Sequence, residues 1–374
     1  MSTTTECLLT GICICLAAAL FRESCLSKLL RRRSGRESRQ GEKLKGPWRG
    51  ESEIASKAEM WEDGAKHTAE RRLPLVFSTC ETYRLRSAHG LPYVVSISLP
   101  LSYESRDPKE SSRGGDHCRY PVLYVLDGEP YLFPLLVTAA RTEHYFKSRR
   151  GAGFPDLIVV GITADIEREC APPQYFSTVG DLWTALRPTR ARDYLPTAAE
   201  SPWGVPGSSS LLDISGHATT FLRDFLASTL VPFVDRTFRT QTESTPTGAC
   251  RAIVGKSFGG SAVAHLLLDP KCAPLFQHFL MCSPSLSWDD DAFFRLEEEG
   301  WLAKQPPLAG AVLICAGGNE VANVKGLMKF QNTLQGRKHP GLKIEMQVLD
   351  GEDHGSASYP FVSHALAWLA CQLS

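Results

Sequence analysis

The hexapeptide Gly255-Lys256-Ser257-Phe258-Gly259-Gly260 restricts this chain more than any other segment. It stands between a short apolar run of strand composition at 251–254 and a run of helical composition at 259–268. A strand that passes directly into a helix must bend sharply. Side chains two positions either side of the serine would strike neighbouring elements, which accounts for the glycines. The rest of the chain supplies a sheet for such a bend. Apolar runs of strand length at 93–99, 120–126, 156–162, 276–282, 311–316 and 342–349 are interspersed with helical runs at 221–238 and 358–373. The pattern predicts an α/β architecture, a mostly parallel central sheet with helices on both faces.

The chain has 374 residues, of which 43% are hydrophobic, so a sizeable core is within reach. Lysine plus arginine and aspartate plus glutamate are 41 each, so the charge balance gives no reason to expect a nucleic acid or other polyanion as partner. The twelve cysteines show no CxxC spacing, and residues such as Cys282 and Cys315 fall in apolar strand-like runs, where a free thiol behaves as a small hydrophobe. No metal site is expected, and the cysteine usage leans toward a reducing compartment.

The chain divides at residue 72. Residues 7–21 are apolar but short of the roughly 20 that a membrane span needs. A basic cluster follows, with Arg22, Lys28, Arg31, Arg32, Arg33 and Arg36. Charge after the apolar run, and Glu6 before it, oppose a cleaved secretory signal. Two readings stand side by side: an N-terminal membrane anchor that leaves the folded domain cytoplasmic, and an organelle-targeting peptide. Residues 34–71 have the composition of a disordered linker, and 73–374 form the expected catalytic domain. No internal repeat is visible, and the Pro, Gly and Ser-rich stretch 196–210 reads as a long surface loop beside a substrate site.

A serine hydroxyl is a poor nucleophile without a base in reach and an acid to orient that base. His354, in Gly351-Glu352-Asp353-His354-Gly355 after the last strand, is the expected base. His265, His278, His339 and His364 sit in less suitable places. Glu320, four residues past the strand at 311–316, is the expected acid, with Asp350 and Asp353 as alternatives. Two backbone amides must meet the developing oxyanion. They are expected from Phe258, at a helix start, and from Glu129 in the turn after 120–126, with Gly128 as runner-up.

These motifs resemble the Putative esterase family of α/β-hydrolases, and within it the ferric enterobactin (siderophore) esterase-like branch. The likeness runs through YPVLYVLDG at 120–128, DLIVVGI at 156–162, RARDYLP at 190–196, VPFVDRTFR at 231–239 and GKSFGG at 255–260. SPS at 283–285 with Trp288, and GEDHG at 351–355, complete it. The resemblance implies the α/β-hydrolase fold and a serine esterase acting on a small-molecule ester with no cofactor. It also implies a substrate pocket bordered by Trp288 and by the segment carrying Arg190 and Arg192, although both arginines also read as solvated loop charges. Three departures from the bacterial pattern stand out: the basic N-terminal extension, a longer loop around Trp203 and Gly204, and Lys256 where a histidine is more usual. Two alternatives share these residues, a thioesterase or acyltransferase with the same triad and a non-catalytic binding module.

Overall fold

Alternation along the strands decides which residue meets which core. In β4 (Val122–Leu126) every residue is buried, so both faces of the strand need cover. Val122, Tyr124 and Leu126 join one apolar cluster, while Leu123 and Val125 join a second on the opposite face. The same division runs through β5 (Ile158–Ala164), β6 (Arg251–Lys256), β7 (His278–Cys282) and β8 (Ala309–Gly317). These continuous apolar runs are what parallel strands covered on both sides require.

The computed structural model describes residues 70–71, 80–103, 119–149, 154–166, 179–198, 216–243, 248 and 250–373. Their strands form one nine-stranded sheet in the order β1-β2-β3-β5-β4-β6-β7-β8-β9. β1 (Glu70–Arg71), β2 (Cys80–Arg86) and β3 (Pro92–Ser98) pair antiparallel, as do β3 and β5. Every pair from β5 through β4, β6, β7 and β8 to β9 (Gly341–Leu349) is parallel. On the outer strand β9, Lys343 and Glu345 are exposed, charges that discourage pairing with another edge.

α1 (Phe133–Arg149) and α7 (Ser358–Gln372) contribute the helical part of the second cluster. The first is built on α2 (Val179–Tyr194), α3 (218–237), α4 (Phe258–Leu268), α5 (Trp288–Leu302) and α6 (Val321–Arg337). α3 runs continuously through Ala218–Thr220, a wider-turned stretch Phe221–Leu230, and Val231–Thr237. A mostly parallel sheet with helices on both faces, reached through an antiparallel entry, is the α/β-hydrolase fold.

Several sequence expectations shift. Glu70–Arg71, expected at the end of the linker, pairs with Tyr83 and Arg84 in the sheet. Arg190 and Arg192, read as loop charges, lie in the last turns of α2. Pro188 inside that helix removes one backbone donor and hides its helical character. The apolar run 7–21, the linker up to residue 69, and Trp203 and Gly204 lie outside the described residues. Among the described residues, no helix is long and apolar enough to cross a membrane.

The antiparallel end of the sheet is joined to the helical layer through Phe225 of α3, which is fully buried and stacks on Tyr93 of β3 with ring centroids 3.9 Å apart. Phe225→Ala is expected to cost about 3–5 kcal/mol, since it removes that contact and leaves a cavity. The check is chemical denaturation, where the midpoint should fall at an unchanged slope.

Candidate active site

The expected bend is present. Ser257 links β6 to α4 with φ 56° and ψ −120°, a region that residues with a side chain rarely occupy. A Cβ on Gly255 would lie 2.3 Å from the carbonyl oxygen of Gly259, so only glycine lets the strand and helix approach this closely. The Ser257 amide donates to Cys282 O at 3.0 Å, and its carbonyl accepts from Ser261 N at 3.0 Å and Ser285 N at 3.3 Å. These bonds fix the elbow from β7 and from its own helix.

His354 lies in the loop between β9 and α7. Its Nδ1 is 2.6 Å from Glu320 Oε2, and Glu320 stands just past the end of β8. The imidazole is about half exposed (49%) while the Glu320 side chain is buried (7%). The carboxylate is further held by the Ser283 hydroxyl, the Gly317 amide at 2.9 Å and the Asn323 side-chain amide, all donating to it. Burial alone would raise its pKa. The hydrogen bonds from His354, Ser283, Gly317 and Asn323 outweigh that and bring it from 4.5 to about 2.

Asp353, weighed as an alternative acid, is engaged elsewhere. Its Oδ1 accepts the amides of Gly355 at 2.8 Å and Ser356 at 2.9 Å, closing the turn that carries His354. That turn is tied outward through Gly355 O, which accepts the Tyr131 hydroxyl at 3.2 Å and lies 3.4 Å from the Lys256 ammonium. Lys256 in turn sits 5.3 Å from the centroid of the Tyr131 ring. The residue before Ser257 thus touches the loop that carries His354.

Ser257 and His354 line one cavity of about 610 Å³, together with Asp127, Tyr131, Arg187 and Arg190 among others. The turn after β4 forms part of its wall. Asp127 there is left-handed (φ 56°), and a Cβ on Gly128 would lie 2.5 Å from Ile162 N. Glu129 follows in this turn, and Phe258 opens α4 directly after Ser257, so both expected oxyanion amides belong to segments at the same ends of the adjacent strands β4 and β6.

Arg190 borders the cavity, but its guanidinium is committed. Nε and Nη2 donate to the two Asp127 carboxylate oxygens at 2.6 and 2.7 Å, a bidentate pair that braces the turn carrying Glu129. Burial would lower the Arg190 pKa, but the Asp127 carboxylate raises it above its ordinary value. Arg192 and Trp288 do not line the cavity. Arg192 pairs with its neighbour Asp193 at 2.7 Å. Trp288 is buried at 3% exposure, donates its indole N–H to Thr197 O at 3.1 Å and packs edge-on against Phe258. It supports the residue after Ser257 from within the core. The partners that sequence reasoning missed are Ser283, Asn323 and Tyr131. Only Ser283 carried a signal, in the SPS motif, and it takes a left-handed φ of 45°.

No group of three metal-ligating side chains gathers among the described residues. Because the folded Glu320 pKa lies below its ordinary value, its interactions add stability above pH 4.5 that is lost as pH falls toward 2. The stability gap between wild type and Glu320→Gln should shrink across that window in urea titrations at stepped pH. A constant gap would mean that the carboxylate is not held as described.

Comparison with known proteins agrees with this fold. Residues 196–354 match the family model described as Putative esterase. The siderophore triacetylfusarinine C esterase of Aspergillus fumigatus is 26% identical over 220 residues, covering 59% of this chain and 60% of that protein. The chain thus spans less than two thirds of that relative's length. Among solved structures, an IroE-like serine hydrolase from Shewanella oneidensis superposes with a TM-score of 0.58 at 21% identity, over 82% of this chain and 81% of the other. The siderophore hydrolase EstB from Aspergillus nidulans gives a TM-score of 0.54 at 19% identity, over 80% and 97%. Over residues 196–354 the chain is thus similar to the Putative esterase family, over 220 residues it is similar to a siderophore esterase, and the solved structures share its fold.

Proposed function

We propose that this chain is a serine ester hydrolase in which Ser257, His354 and Glu320 act as nucleophile, base and orienting acid. The observation that carries the reading is that Ser257 and His354 line one cavity while Glu320 holds His354 from behind. Ser257 stands on the strained elbow, and His354 lines the same space with its far nitrogen anchored to a buried carboxylate. Glu320 on Nδ1 leaves Nε2 as the nitrogen available to take the serine proton.

In the first half-reaction His354 takes the Ser257 proton as the oxygen attacks the ester carbonyl. The amides of Phe258 and Glu129 receive the oxyanion, and the alcohol leaves with the proton from the imidazolium. Water, activated by the same histidine, then releases the acid and restores the serine. Glu320 stays ionised throughout and stabilises the imidazolium. Arg190 contributes through Asp127 by holding the turn that presents Glu129. The similarity to a siderophore esterase makes siderophore esters the first natural substrates to screen.

Steady-state hydrolysis of para-nitrophenyl esters tests the mechanism. Ser257→Ala and His354→Ala should each lower kcat by about 10⁴-fold or more, and Glu320→Gln by about 10³ to 10⁴-fold. Retention of wild-type kcat in either of the first two variants would overturn the assignment.

A further inference from the structure

The cavity that holds Ser257 has a charge pattern that the reaction alone does not need. Three basic side chains line it, Arg187, Arg190 and Lys256, against two acidic ones, Asp127 and Asp353. Both acids are already occupied. Asp127 takes the two-point contact from Arg190, and Asp353 accepts the amides of its own turn.

Arg187 and Lys256 remain. Arg187 stands three residues before Arg190 on α2, so the two share a helix face at the cavity wall, and Arg187 is exposed. Among the described residues, no carboxylate forms an ion pair with Arg187 or with Lys256. The Lys256 ammonium has a carbonyl oxygen at 3.4 Å and the Tyr131 ring beneath it, neither of which neutralises its charge. Burial pushes its pKa below the ordinary lysine value. An ammonium partly withdrawn from water, on which the Glu320 and Asp127 carboxylates act without an ion-pair contact, gains from an anion placed directly beside it. Tyr131, Leu132 and Tyr359 supply apolar wall for the body of such a ligand.

We propose that Arg187 and Lys256 form an anion subsite beside Ser257, so that the preferred substrates are esters carrying a carboxylate. This rests on the hydrolase reading above and narrows its substrate class. It also assigns a role to the lysine that stands before the serine, and it moves substrate recognition from Arg190, which Asp127 engages, to Arg187 one helical turn earlier.

The test compares kcat/KM of the full chain for two matched pairs of esters. One pair is mono-para-nitrophenyl glutarate against para-nitrophenyl pentanoate, which puts the charge on the acyl chain. The other is a butanoate of carboxy-nitrophenol against para-nitrophenyl butanoate, which puts it on the leaving group. In at least one pair the anionic ester should be favoured about tenfold. Arg187→Gln should cut that ratio about threefold or more, Lys256→Gln should also lower it, and Arg187→Lys should retain most of it. Hydrolysis of the neutral esters with no preference in either pair would overturn the subsite and leave the hydrolase reading standing. A preference unchanged in both Gln variants would also overturn it. Failure of a folded protein to hydrolyse any of the four esters would remove the hydrolase reading and the subsite with it.

Discussion

The backbone of Ser257 sits where a residue with a side chain pays about 1–3 kcal/mol, and the surrounding structure offsets that cost. β6 cannot relax sideways, because it is held in register between β4 and β7. Nor can α4 retreat: its residues from Phe258 to Ala264 are buried without a break. Gly255 removes the side chain that would force the two elements apart, while a Cβ on Gly259 would lie 3.0 Å from Asp127 Oδ2 and one on Gly260 3.0 Å from Pro284, so these two let α4 approach the turns after β4 and β7. Once the elbow is fixed, the position of Ser257 relative to the neighbouring loops follows from the strand order. The turns after β4, β8 and β9 carry Glu129, Glu320 and His354.

Electrostatics complete what the sheet begins. Glu320 is a buried carboxylate with a donor on every side, which keeps it ionised and fixes the imidazole it faces. Asp127 and Arg190 form a second buried pair, and their two parallel hydrogen bonds lock the turn after β4. Breaking either constellation would leave a charge stranded away from water, which is why both act as rigid supports. The charge that remains uncommitted in the cavity is positive, at Arg187 and Lys256.

The parts of this arrangement that were legible in the sequence are those set by short-range rules. Continuous apolar runs marked the parallel strands, and the glycine spacing around Ser257 marked the elbow. His354 could be placed because a polar turn follows the last strand, and Glu320 because an acid follows the strand before it. Helices α1, α2, α5 and α6 were not read from the sequence. α2 contains Pro188, α5 opens through three aspartates with positive φ, and α6 carries Gly326 and Gly336, each of which weakens the local helical signal. Contacts between distant segments left no trace in the sequence either. Tyr131 reaches Gly355 across 224 positions, and the commitment of Arg190 to Asp127 spans 63. Arg192 and Trp288, expected at the pocket, are not among the described residues that line the cavity, and local sequence does not say which way a side chain packs.

The central claim is that Ser257 is an activated nucleophile, and covalent capture addresses it most directly. The full chain would be treated with a fluorophosphonate, its intact mass measured, and the adduct located by peptide mapping. A single adduct on Ser257, lost on denaturation before treatment and strongly slowed in His354→Ala, is the predicted result. A folded protein that takes up no probe, or takes it up at another residue, would contradict the account.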